Sequence, residues 1–576
     1  MLADGGFMIE RLAKLLHPDG VEVGFDGPAA AAFAETQTAL KAKSVTLFEG
    51  TLISGGKLAR VDILRKQGHE LHLIEVKAKS YDSREDEEAK ANGKLNCFRK
   101  KNGEIYPEWQ EYLADVAFQK LVLKELFPDY RVRAFLCMPD KSKTTNIDRL
   151  YSLFNLRREQ QPGAAFKRIV VDFTGDVEQL REDNFLTQVA VDAEVEYLME
   201  TVKADAAKYL ASLIPEVKRI VVPLTTACAG CEYRASDADS RDGFKQCWGP
   251  MADVTPNILD LYHAGDIGRF NGVTANDLIQ SRKVNLLDVP EESLLKADGT
   301  FGERNKRQAI QVEHTRDNTE WVSEELAKEL RSYKPPFHFI DFETSALAVP
   351  YHAGMRPYEQ IAFQWSCHRL DTPKGKAVHT EWINVTDAFP NFEFAETLMK
   401  QIGTDGTVFM WATHENTILY CILEQMKQRR YRNDALEQWL KTVTTKGWLI
   451  DMNQLTLKHF FHPLMKGRTS IKKVVDALWK SDPALREEFP EYQKVEAGQF
   501  LSPYQALPPL TIQGEEVVVA EGTGAIRAYE AMMVGFEKND KQVRLQWRDL
   551  LLQYCKLDTT SMLMVCIRLM EYVRSA

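Results

Sequence analysis

The stretch that most constrains the fold is 337–345, FHFIDFETS, an apolar run that contains two acids. Side chains alternate along a strand, so Asp341 and Glu343 share one face with Phe337 and Phe339, while the opposite face is also apolar. Apolar residues on both faces predict a central strand of a covered sheet. Two carboxylates on one face repel each other, and a divalent cation is the usual partner that relieves this repulsion. The alternative is a strand that ends before the acids and leaves both in solvent.

The rest of the chain places this strand in a larger protein. The chain has 576 residues. A typical domain has about 150 residues, so this length allows two to four domains. No apolar run approaches the ~20 residues that span a bilayer, and the N-terminal sequence carries no cleavage-type signal, so we expect a cytoplasmic protein with no membrane partner. The nine cysteines do not form a disulfide framework in a reducing compartment. The net charge of −10 argues against a non-specific nucleic-acid coat, although a local basic groove is compatible with it.

A second group of charged residues lies in the first half, where residues 45–79 predict three strands joined by glycine turns. Glu75 and Lys77 share one face of the third strand, and Asp62 lies in the strand before it. This combination suits phosphodiester hydrolysis, because two carboxylates hold a divalent metal that activates water, and a lysine orients the nucleophile or stabilises the transition state. The alternative is a surface hairpin with a Glu–Lys pair.

In the helix predicted after these strands, Asp115 and Gln119 lie at positions i and i+4 of one face. Over roughly residues 1–250, this set of residues resembles the PD-(D/E)xK nucleases of the RecB type, in particular the CRISPR-associated iron–sulfur exonucleases. The resemblance implies a mixed α/β, restriction-endonuclease-like core. An acid from the first helix often joins such sites, and Glu35 and Glu49 are both candidates. The resemblance implies that Asp62 and Glu75 are metal ligands and that Lys77 is the catalytic lysine. It also implies that Gln119 contacts the substrate or the lysine.

Three cysteines with C-x2-C-x15-C spacing lie in a polar segment: Cys228, Cys231 and Cys247. A soft metal centre takes four ligands. The segment resembles the one that closes the domain in the iron–sulfur nucleases, and this resemblance implies a [4Fe–4S] cluster bound through the three cysteines. Those nucleases take a fourth cysteine from upstream of the core, where this chain has none. A truncated start, Cys97, a non-cysteine ligand or a degenerate cluster are the alternatives, and a structural Zn²⁺ is the alternative to iron.

Several charged residues of the second half bear on the opening strand. Glu415 lies where a short apolar strand runs into a helix, and Tyr554 and Asp558 lie at i and i+4 of an amphipathic C-terminal helix. Asp451, at the end of the strand-like KGWLIDM, is a further candidate ligand, and the alternative is a helix N-cap or a strand-end residue. The segment 467–475, GRTSIKKVV, carries basic residues that suit a phosphate backbone or, equally, a solvated helix start.

The order D-x-E, then an acid, then Y-x3-D resembles the DEDD exonucleases of the RNase H-like fold, in their tyrosine-bearing subclass, over roughly residues 335–576. In that family four acids bind two divalent metals and the tyrosine positions the attacking water. Glu415 departs from the family, which has aspartate at that position. The resemblance implies that Tyr554 positions the attacking water. It assigns the role of metal ligand to four acids: Asp341, Glu343, Glu415 and Asp558.

We therefore expect an α/β multidomain protein with four parts. These are a RecB-like PD-(D/E)xK nuclease domain (1–223), a cysteine-rich segment (224–255), a helical linker (256–334) and an RNase H-like DEDD-type exonuclease domain (335–576). This fusion resembles a bacterial family whose role was long unassigned. It implies Mg²⁺- or Mn²⁺-dependent exonucleolytic hydrolysis of DNA in repair or in defence against foreign DNA, with a helicase or defence-system partner. The alternatives are an RNA exonuclease acting through the C-terminal domain and a nucleic-acid-binding scaffold with one degenerate site.

Overall fold

The computed structural model describes residues 2–24, 27–93, 95–159, 168–235, 241–512, 515–519, 522–533 and 540–575. The chain divides into two compact units, one made of residues 1–220 with 345–361 and the other of residues 221–344 with 362–576. Both units mix helices and strands, so the predicted mixed α/β class is confirmed.

The elements of the first unit, in chain order, are α1 (Leu2–Leu15), β1 (Gly20–Glu22), α2 (Ala29–Ala39), β2 (Ser44–Ser54), β3 (Lys57–Gln67), β4 (Glu70–Val76), α3 (Ser83–Ala91), α4 (Pro107–Leu126), β5 (Arg131–Pro139), β6 (Phe154–Glu159), β7 (Arg168–Phe173), α5 (Val177–Glu182), β8 (Leu186–Ala190) and α6 (Asp192–Leu213). Residues 345–361 join this unit through contacts such as the hydrogen bond from the Thr145 N–H to the Met355 carbonyl (3.0 Å).

The main sheet of this unit has the strand order β1-β2-β3-β4-β5-β8. Strands β2, β3 and β4 are successive antiparallel neighbours, and the turns between them contain Gly55, Gly56 and Gly68, all with positive φ. Positive φ is open to glycine at no steric cost, so the predicted three strands with glycine turns are confirmed. Helix α4 begins with Pro107 at its first position and packs Leu113, among others, against this sheet in the buried core.

The elements of the second unit are α7 (Gly243–Trp248), α8 (Ala275–Gln280), α9 (Glu303–Asp317), β9 (Trp321–Val322), α10 (Leu326–Ser332), β10 (Phe337–Ser345), β11 (Ile361–Leu370), β12 (Val378–Ile383), α11 (Asn391–Ile402), β13 (Thr407–Met410), α12 (His414–Gln428), α13 (Asp434–Val443), β14 (Leu449–Asp451), α14 (Met452–His459), β15 (Phe460–Phe461), α15 (Ile471–Ser481), α16 (Pro483–Glu488), β16 (Val495–Glu496), β17 (Gln499–Phe500), α17 (Pro503–Ala506), β18 (Leu510–Ile512), β19 (Glu515–Val517), α18 (Gly522–Met533) and α19 (Lys541–Ser575).

Strand β10 is the central strand of a five-stranded sheet with the order β12-β11-β10-β13-β14. Phe337 and Phe339 pack into a core that also contains residues of α15 and α19, whereas Ile340 and Phe342 pack into a second core with α11, α12 and α13. Both faces of β10 are therefore covered, and the prediction of a central strand is confirmed. The helices that cover both faces of the sheet explain why β10 carries apolar residues on both of its faces.

The chain order around β10 creates a switch point in this sheet. The chain passes from β10 to β11 and β12 on one side, and then crosses to β13, which is parallel to β10, and β14, which is parallel to β13. In open α/β sheets the carboxyl ends of strands that diverge in this way leave a crevice that serves as a binding site. Asp341 and Glu343 lie at this end of β10.

The predicted cysteine-rich segment and helical linker share one hydrophobic core. Phe244 and Trp248 of α7 pack with residues of the following segment, such as Leu278 of α8 and Val312 of α9. Between these helices the backbone forms short 3₁₀ turns, so the segment is less regularly helical than its sequence predicts. Its apolar residues are spaced irregularly and fill a small core instead of one face of a long helix.

Among the described residues, one helix is long and apolar enough to cross a membrane by length and composition, the Lys541–Val573 part of α19. In this protein, however, 78% of that window is buried. Leu551 and Val565 are both fully buried, so the apolar side chains of α19 serve the protein core. Helix α19 is therefore packed as a core helix.

Candidate functional site

The carboxyl end of β10 carries the acids that the sequence singles out. Glu343 is buried and Asp341 half-buried, and both lie on the face of the strand that Phe337 and Phe339 turn towards the core with α15 and α19. The alternative that the strand ends before the acids is therefore wrong, because β10 continues to Ser345. The fold therefore encloses Glu343 fully and Asp341 in part.

A cysteine joins these two acids. Single ligand atoms of Asp341, Glu343 and Cys555 all lie within 4.8 Å of one another, a spacing that suits a shared metal ion. The Cys555 Sγ lies 3.3 Å from the Asp341 Oδ2 and donates a hydrogen bond to it. The sequence analysis missed Cys555, although it stands between Tyr554 and Asp558 in the motif YCKLD.

Asp558 of α19 is buried beside this group and is held by tyrosines. The Tyr504 Oη donates a hydrogen bond to the Asp558 Oδ1 at 2.5 Å, across 54 positions of sequence. Burial raises the pKa of Asp558 to about 6, while the hydroxyls of Tyr504 and Tyr554 and the charge of Lys472 oppose this rise. Asp558 is not within the 4.8 Å group, yet its charge raises the pKa values of Asp341 and Glu343.

Glu415 lies in the first turn of α12, as its position at a strand–helix junction predicts, and only 2% of it is exposed. Its Oε2 is buried, and among the described residues it has no hydrogen-bond partner. Burial, with the charges of Asp451 and Asp558, raises the pKa of Glu415 to about 8. The longer side chain therefore still brings a carboxylate into electrostatic contact with the acids of β10, since its charge also raises the pKa of Asp341 and Glu343.

Asp451 caps a helix. It ends β14, and its Oδ1 accepts hydrogen bonds from the N–H groups of Asn453 (2.8 Å) and Gln454 (3.3 Å) at the start of α14, and from Ala412 (3.0 Å). This geometry supports the alternative of an N-cap at a strand end over that of a metal ligand, because the carboxylate oxygen is already shared by three donors.

Lys472 is the basic residue of the 467–475 segment that approaches the acids. Its Nζ lies 5.2 Å from the ring centroid of Tyr504 and 5.3 Å from that of Tyr554. Its positive charge lowers the pKa values of Glu343 and Asp558. Lys472 therefore offsets part of the negative charge that the acids concentrate at this end of the sheet.

The electrostatics of the acid cluster, defined as Asp341, Glu343, Glu415 and Asp558, fit a divalent cation. The pKa of every member is raised, first by burial and, for Asp341, Glu343 and Glu415, then by repulsion from other carboxylates. Buried carboxylates that repel one another are stabilised by a bound cation with oxygen ligands. The thiol of Cys555 provides a further ligand atom within 4.8 Å of both β10 acids. Glu415 lies outside that group, and its oxygen that lacks a partner among the described residues is a further candidate ligand.

In the first unit, Asp62 of β3 and Glu75 of β4 lie on neighbouring antiparallel strands. The Val76 N–H donates to the Asp62 Oδ2 at 2.7 Å, which fixes this carboxylate beside the end of β4. Burial and the charge of Glu75 raise the pKa of Asp62, and burial, with the charge of Asp115, raises that of Glu75 to about 7. The two acids are thus brought together, as the motif predicts.

Lys77 forms ion pairs with both Glu75 (Nζ to Oε1, 2.7 Å) and Asp115 of α4 (Nζ to Oδ2, 2.9 Å). Burial lowers the pKa of Lys77, but the two carboxylates together outweigh it, so the pKa is raised and the ammonium stays charged. Gln119, one turn after Asp115, donates from Nε2 to the Glu75 Oε2 at 2.8 Å. It contacts the glutamate, and its buried Oε1 has no hydrogen-bond partner among the described residues. The alternative of an exposed Glu–Lys surface pair is wrong, because only 4% of Glu75 is exposed.

The structure distinguishes the two candidates for an additional acid. Glu35 is exposed and accepts from the Gly24 N–H at 2.9 Å. Glu49 lies on β2 and its charge raises the pKa of Asp62, as does that of Glu10. Glu10 lies on the first helix, α1, and the sequence analysis missed it. Lys14, also on α1, pairs with Glu10 (2.7 Å) and Glu49 (2.8 Å).

The three cysteines of the predicted cluster lie at the surface of the small hydrophobic core that α7, α8 and α9 share. We call the segment that forms this core the 224–312 region. Cys228 and Cys231 are half-buried and pack against that core, whereas Cys247 is exposed. Among the described residues, which omit 236–240 of this segment, their sulfurs do not all lie within 4.8 Å of one another. Tetrahedral Zn–S bonds of about 2.3 Å place the sulfurs about 3.8 Å apart, so a zinc ion bound through all three thiols would require the sulfurs to move closer together. Cys97, the candidate fourth ligand, lies in the first unit and packs against its core.

Comparisons with known proteins bear on part of the second unit. A family model described as a domain of unknown function (DUF2779) matches residues 338–470. Searches of curated proteins and of solved structures give no match. The matched range contains Asp341, Glu343 and Glu415 and ends before Tyr554 and Asp558, so the chain is similar to this family over β10 and the strands and helices that follow it.

Proposed function

We propose that this protein is a metal-dependent nuclease that hydrolyses phosphodiester bonds of DNA exonucleolytically. The observation that carries the proposal is the acid cluster at the carboxyl end of β10, where four carboxylates on three elements converge beside Tyr554. A structural role is a poor explanation for this arrangement, because burying several carboxylates together is costly unless a cation compensates them. The position at a sheet switch point also suits the RNase H-like fold that the sequence resemblance implies.

In the C-terminal site, Asp341, Glu343, Glu415 and Asp558 would hold the cation. When bound, Mg²⁺ or Mn²⁺ supplies a more acidic water and neutralises negative charge on the phosphate. Tyr554 stays protonated at neutral pH, because burial and the neighbouring carboxylates raise its pKa, and its hydroxyl can orient a water molecule. Tyr504 holds Asp558 in place, and Lys472 contributes positive charge near the reacting phosphate.

In the N-terminal site, Asp62 and Glu75 would hold a cation of the same kind, and Lys77 is the charged group beside them. The Lys77 Nζ already lies between two carboxylates, so its ammonium is kept charged and close to the metal ligands. Lys77 then stabilises the negative charge that develops on the phosphate. Gln119 keeps the Glu75 carboxylate oriented through its amide.

We assign the chain to DNA repair or to defence against foreign DNA, as a cytoplasmic protein that acts with a helicase or another defence-system component. The support for this role is the sequence resemblance of roughly the first 250 residues to RecB-type nucleases. The sequence contains no helicase motif, so any unwinding must come from a partner. A [4Fe–4S] cluster on Cys228, Cys231 and Cys247 belongs to the same proposal, and it requires those residues to approach a fourth ligand.

The test is degradation of end-labelled DNA and RNA by the full chain in Mg²⁺ or Mn²⁺. The wild type is compared with Glu75→Gln, Asp341→Asn and the double variant, and we expect each single variant to retain the activity of the other site. The control is Asp371→Asn, which alters a surface acid paired with Arg369. Hydrolysis of RNA alone identifies the substrate as RNA. Nucleic-acid binding without hydrolysis by the wild type would identify a scaffold and contradict the proposal.

A further inference from the structure

A cleft lined by lysines opens beside the acid cluster. It is a cavity of about 920 Å³ between α15, residues 502–509 and β19. Four lysines and two acids line it, which leaves a local excess of positive charge in a chain whose net charge is −10. The charged lining residues are Lys472, Lys473, Lys480, Lys494, Asp476 and Glu516. We call this cavity the lysine cleft.

The lysine cleft adjoins the acid cluster through two of its lining residues. Tyr504 lines the cleft, and its Oη donates to the Asp558 Oδ1 at 2.5 Å. Lys472 also lines the cleft, and its Nζ lies 5.3 Å from the Tyr554 ring centroid. A molecule that occupies the cleft therefore contacts Tyr504, whose hydroxyl holds Asp558, and Lys472, which lies beside Tyr554.

The lysines of the cleft differ in their partners. Lys480 forms an ion pair with Asp476 at 2.9 Å. Lys473 and Lys494 are exposed, and no carboxylate of the described residues pairs with either. Their charges are therefore available to an anion in the cleft. Cations on a groove that also presents aromatic rings are the usual combination for the backbone and bases of a single strand.

We propose that the lysine cleft binds the sugar–phosphate backbone of a single-stranded polynucleotide and leads its end past Lys472 and Tyr504 to the acid cluster. The inference rests on the proposed nuclease function of that cluster and adds the form of substrate that it takes. A single strand is required because Asp558, Tyr504 and Tyr554 are at most 7% exposed. Enzymes with buried sites act on nucleotides that have left the duplex, since paired strands cannot enter such a site.

The experiment uses the full chain with Glu75→Gln, which removes the N-terminal site. In this background, Lys473→Ala with Lys494→Ala is compared with Lys427→Ala and Lys441→Ala. The control pair lies on α12 and α13, where each lysine is paired with a glutamate of its own helix, and it removes the same number of positive charges. Both sets alter exposed side chains, so a thermal melt that matches the parent establishes that each variant folds.

Binding is measured with fluorescently labelled single-stranded DNA and RNA of about 20 nucleotides and with a blunt duplex, in Ca²⁺ to limit turnover. We expect the parent to prefer single strands. Each lost phosphate contact lowers the slope of log K against log salt by about 0.7, so the cleft variant should show a slope smaller by about 1.4, and the control pair an unchanged slope. If the slope of the cleft variant decreases for DNA alone or for RNA alone, the result identifies the sugar that the cleft accepts. Equal slopes in both variants, or tighter binding of the duplex, would overturn the inference.

Hydrolysis in Mn²⁺ separates this inference from the proposed function. The substrates are the same oligonucleotide and bis(p-nitrophenyl) phosphate, which is too small to occupy the cleft. We expect the cleft variant to lose about tenfold or more in its efficiency on the oligonucleotide relative to the small ester. A parallel loss on both substrates would mean that the lysines support the acid cluster itself. If Asp341→Asn leaves the hydrolysis of both substrates unchanged, the proposed function fails, whereas the binding result still stands or falls by itself.

Discussion

The Cys555 Sγ lies 3.3 Å from the Asp341 Oδ2, so a sulfur ligand stands within a cluster otherwise built from carboxylates. Carboxylate oxygens suit Mg²⁺ and Mn²⁺, whereas a thiolate selects softer ions such as Zn²⁺. The adjacency of Cys555 to Tyr554 and its contact with Asp341 therefore affect which metals the C-terminal site tolerates.

We predict that Cys555→Ala makes the nuclease resistant to Zn²⁺. The wild type should lose Mn²⁺-dependent hydrolysis at a Zn²⁺ concentration about tenfold lower than the variant does, because the variant lacks the soft ligand. The measurement is a Zn²⁺ titration of oligonucleotide hydrolysis in the Glu75→Gln background. Cys566→Ala is the control, since Cys566 is also buried on α19 but packs in the hydrophobic core. Equal inhibition of the three proteins would show that the thiol does not bind metal.

A second prediction concerns Lys77, whose Nζ pairs with Glu75 and Asp115. In the Asp341→Asn background, Lys77→Ala should lower the remaining hydrolysis by about 10²–10³, the effect of removing one preorganised donor to a developing charge. The side chain of Lys77 is 25% exposed, so the fold should persist. Lys57→Ala, which removes a lysine paired with Glu125 in the same unit, is the control. Unchanged hydrolysis in Lys77→Ala would contradict the N-terminal site.

A third prediction concerns the cysteines at the surface of the 224–312 core. Protein purified without oxygen should contain iron and sulfide and lose its brown colour in air, and Cys231→Ser should prevent the cluster from forming. The measurement is iron and sulfide content per chain, with Cys421→Ser on α12 as the control. Protein that lacks both iron and sulfide would contradict the cluster, and stoichiometric zinc would identify the alternative metal.

The parts of the fold that the sequence predicts are those set by local pattern. Alternation along 337–345 identifies β10 and the shared face of Asp341 and Glu343, and the glycines after β2 and β3 identify the hairpins around Asp62. The positions of Glu415 and Asp558 follow in the same way from their places in strand–helix and helical patterns.

Contacts between distant parts of the chain lie beyond such patterns. Tyr504 meets Asp558 across 54 residues and Cys555 meets Asp341 across 214, and no spacing rule connects either pair. The contribution of Glu10 to the N-terminal site also lies beyond sequence patterns, because its distance from Asp62 depends on how α1 packs. The 224–312 core is missed for another reason: its irregularly spaced apolar residues have neither a helical nor a strand period.

The last prediction uses the raised pKa of Glu415, about 8 in the folded protein against an ordinary value of 4.5. Between these two values the folded state binds more protons than the unfolded state, so the stability of the metal-free protein should fall as the pH rises through this window. Glu415→Gln keeps the size of the side chain and removes its titration. In chelator near pH 8, the variant should therefore be more stable than the wild type, by about 2–4 kcal/mol, and the difference should vanish towards pH 4.5.

The measurement is urea unfolding in chelator at several pH values, repeated with Mn²⁺. Bound metal stabilises the folded state by mass action, so the wild type should gain more from Mn²⁺ than the variant, which lacks a ligand. Glu393→Gln is the matched control, because Glu393 also lies in the first turn of a helix, α11, but is exposed. If Glu415→Gln is instead less stable than the wild type near pH 8 in chelator, the carboxylate has a structural partner. Equal stabilisation of both proteins by Mn²⁺ would show that Glu415 is not a ligand of the metal, because its buried oxygen would then contribute nothing to metal binding.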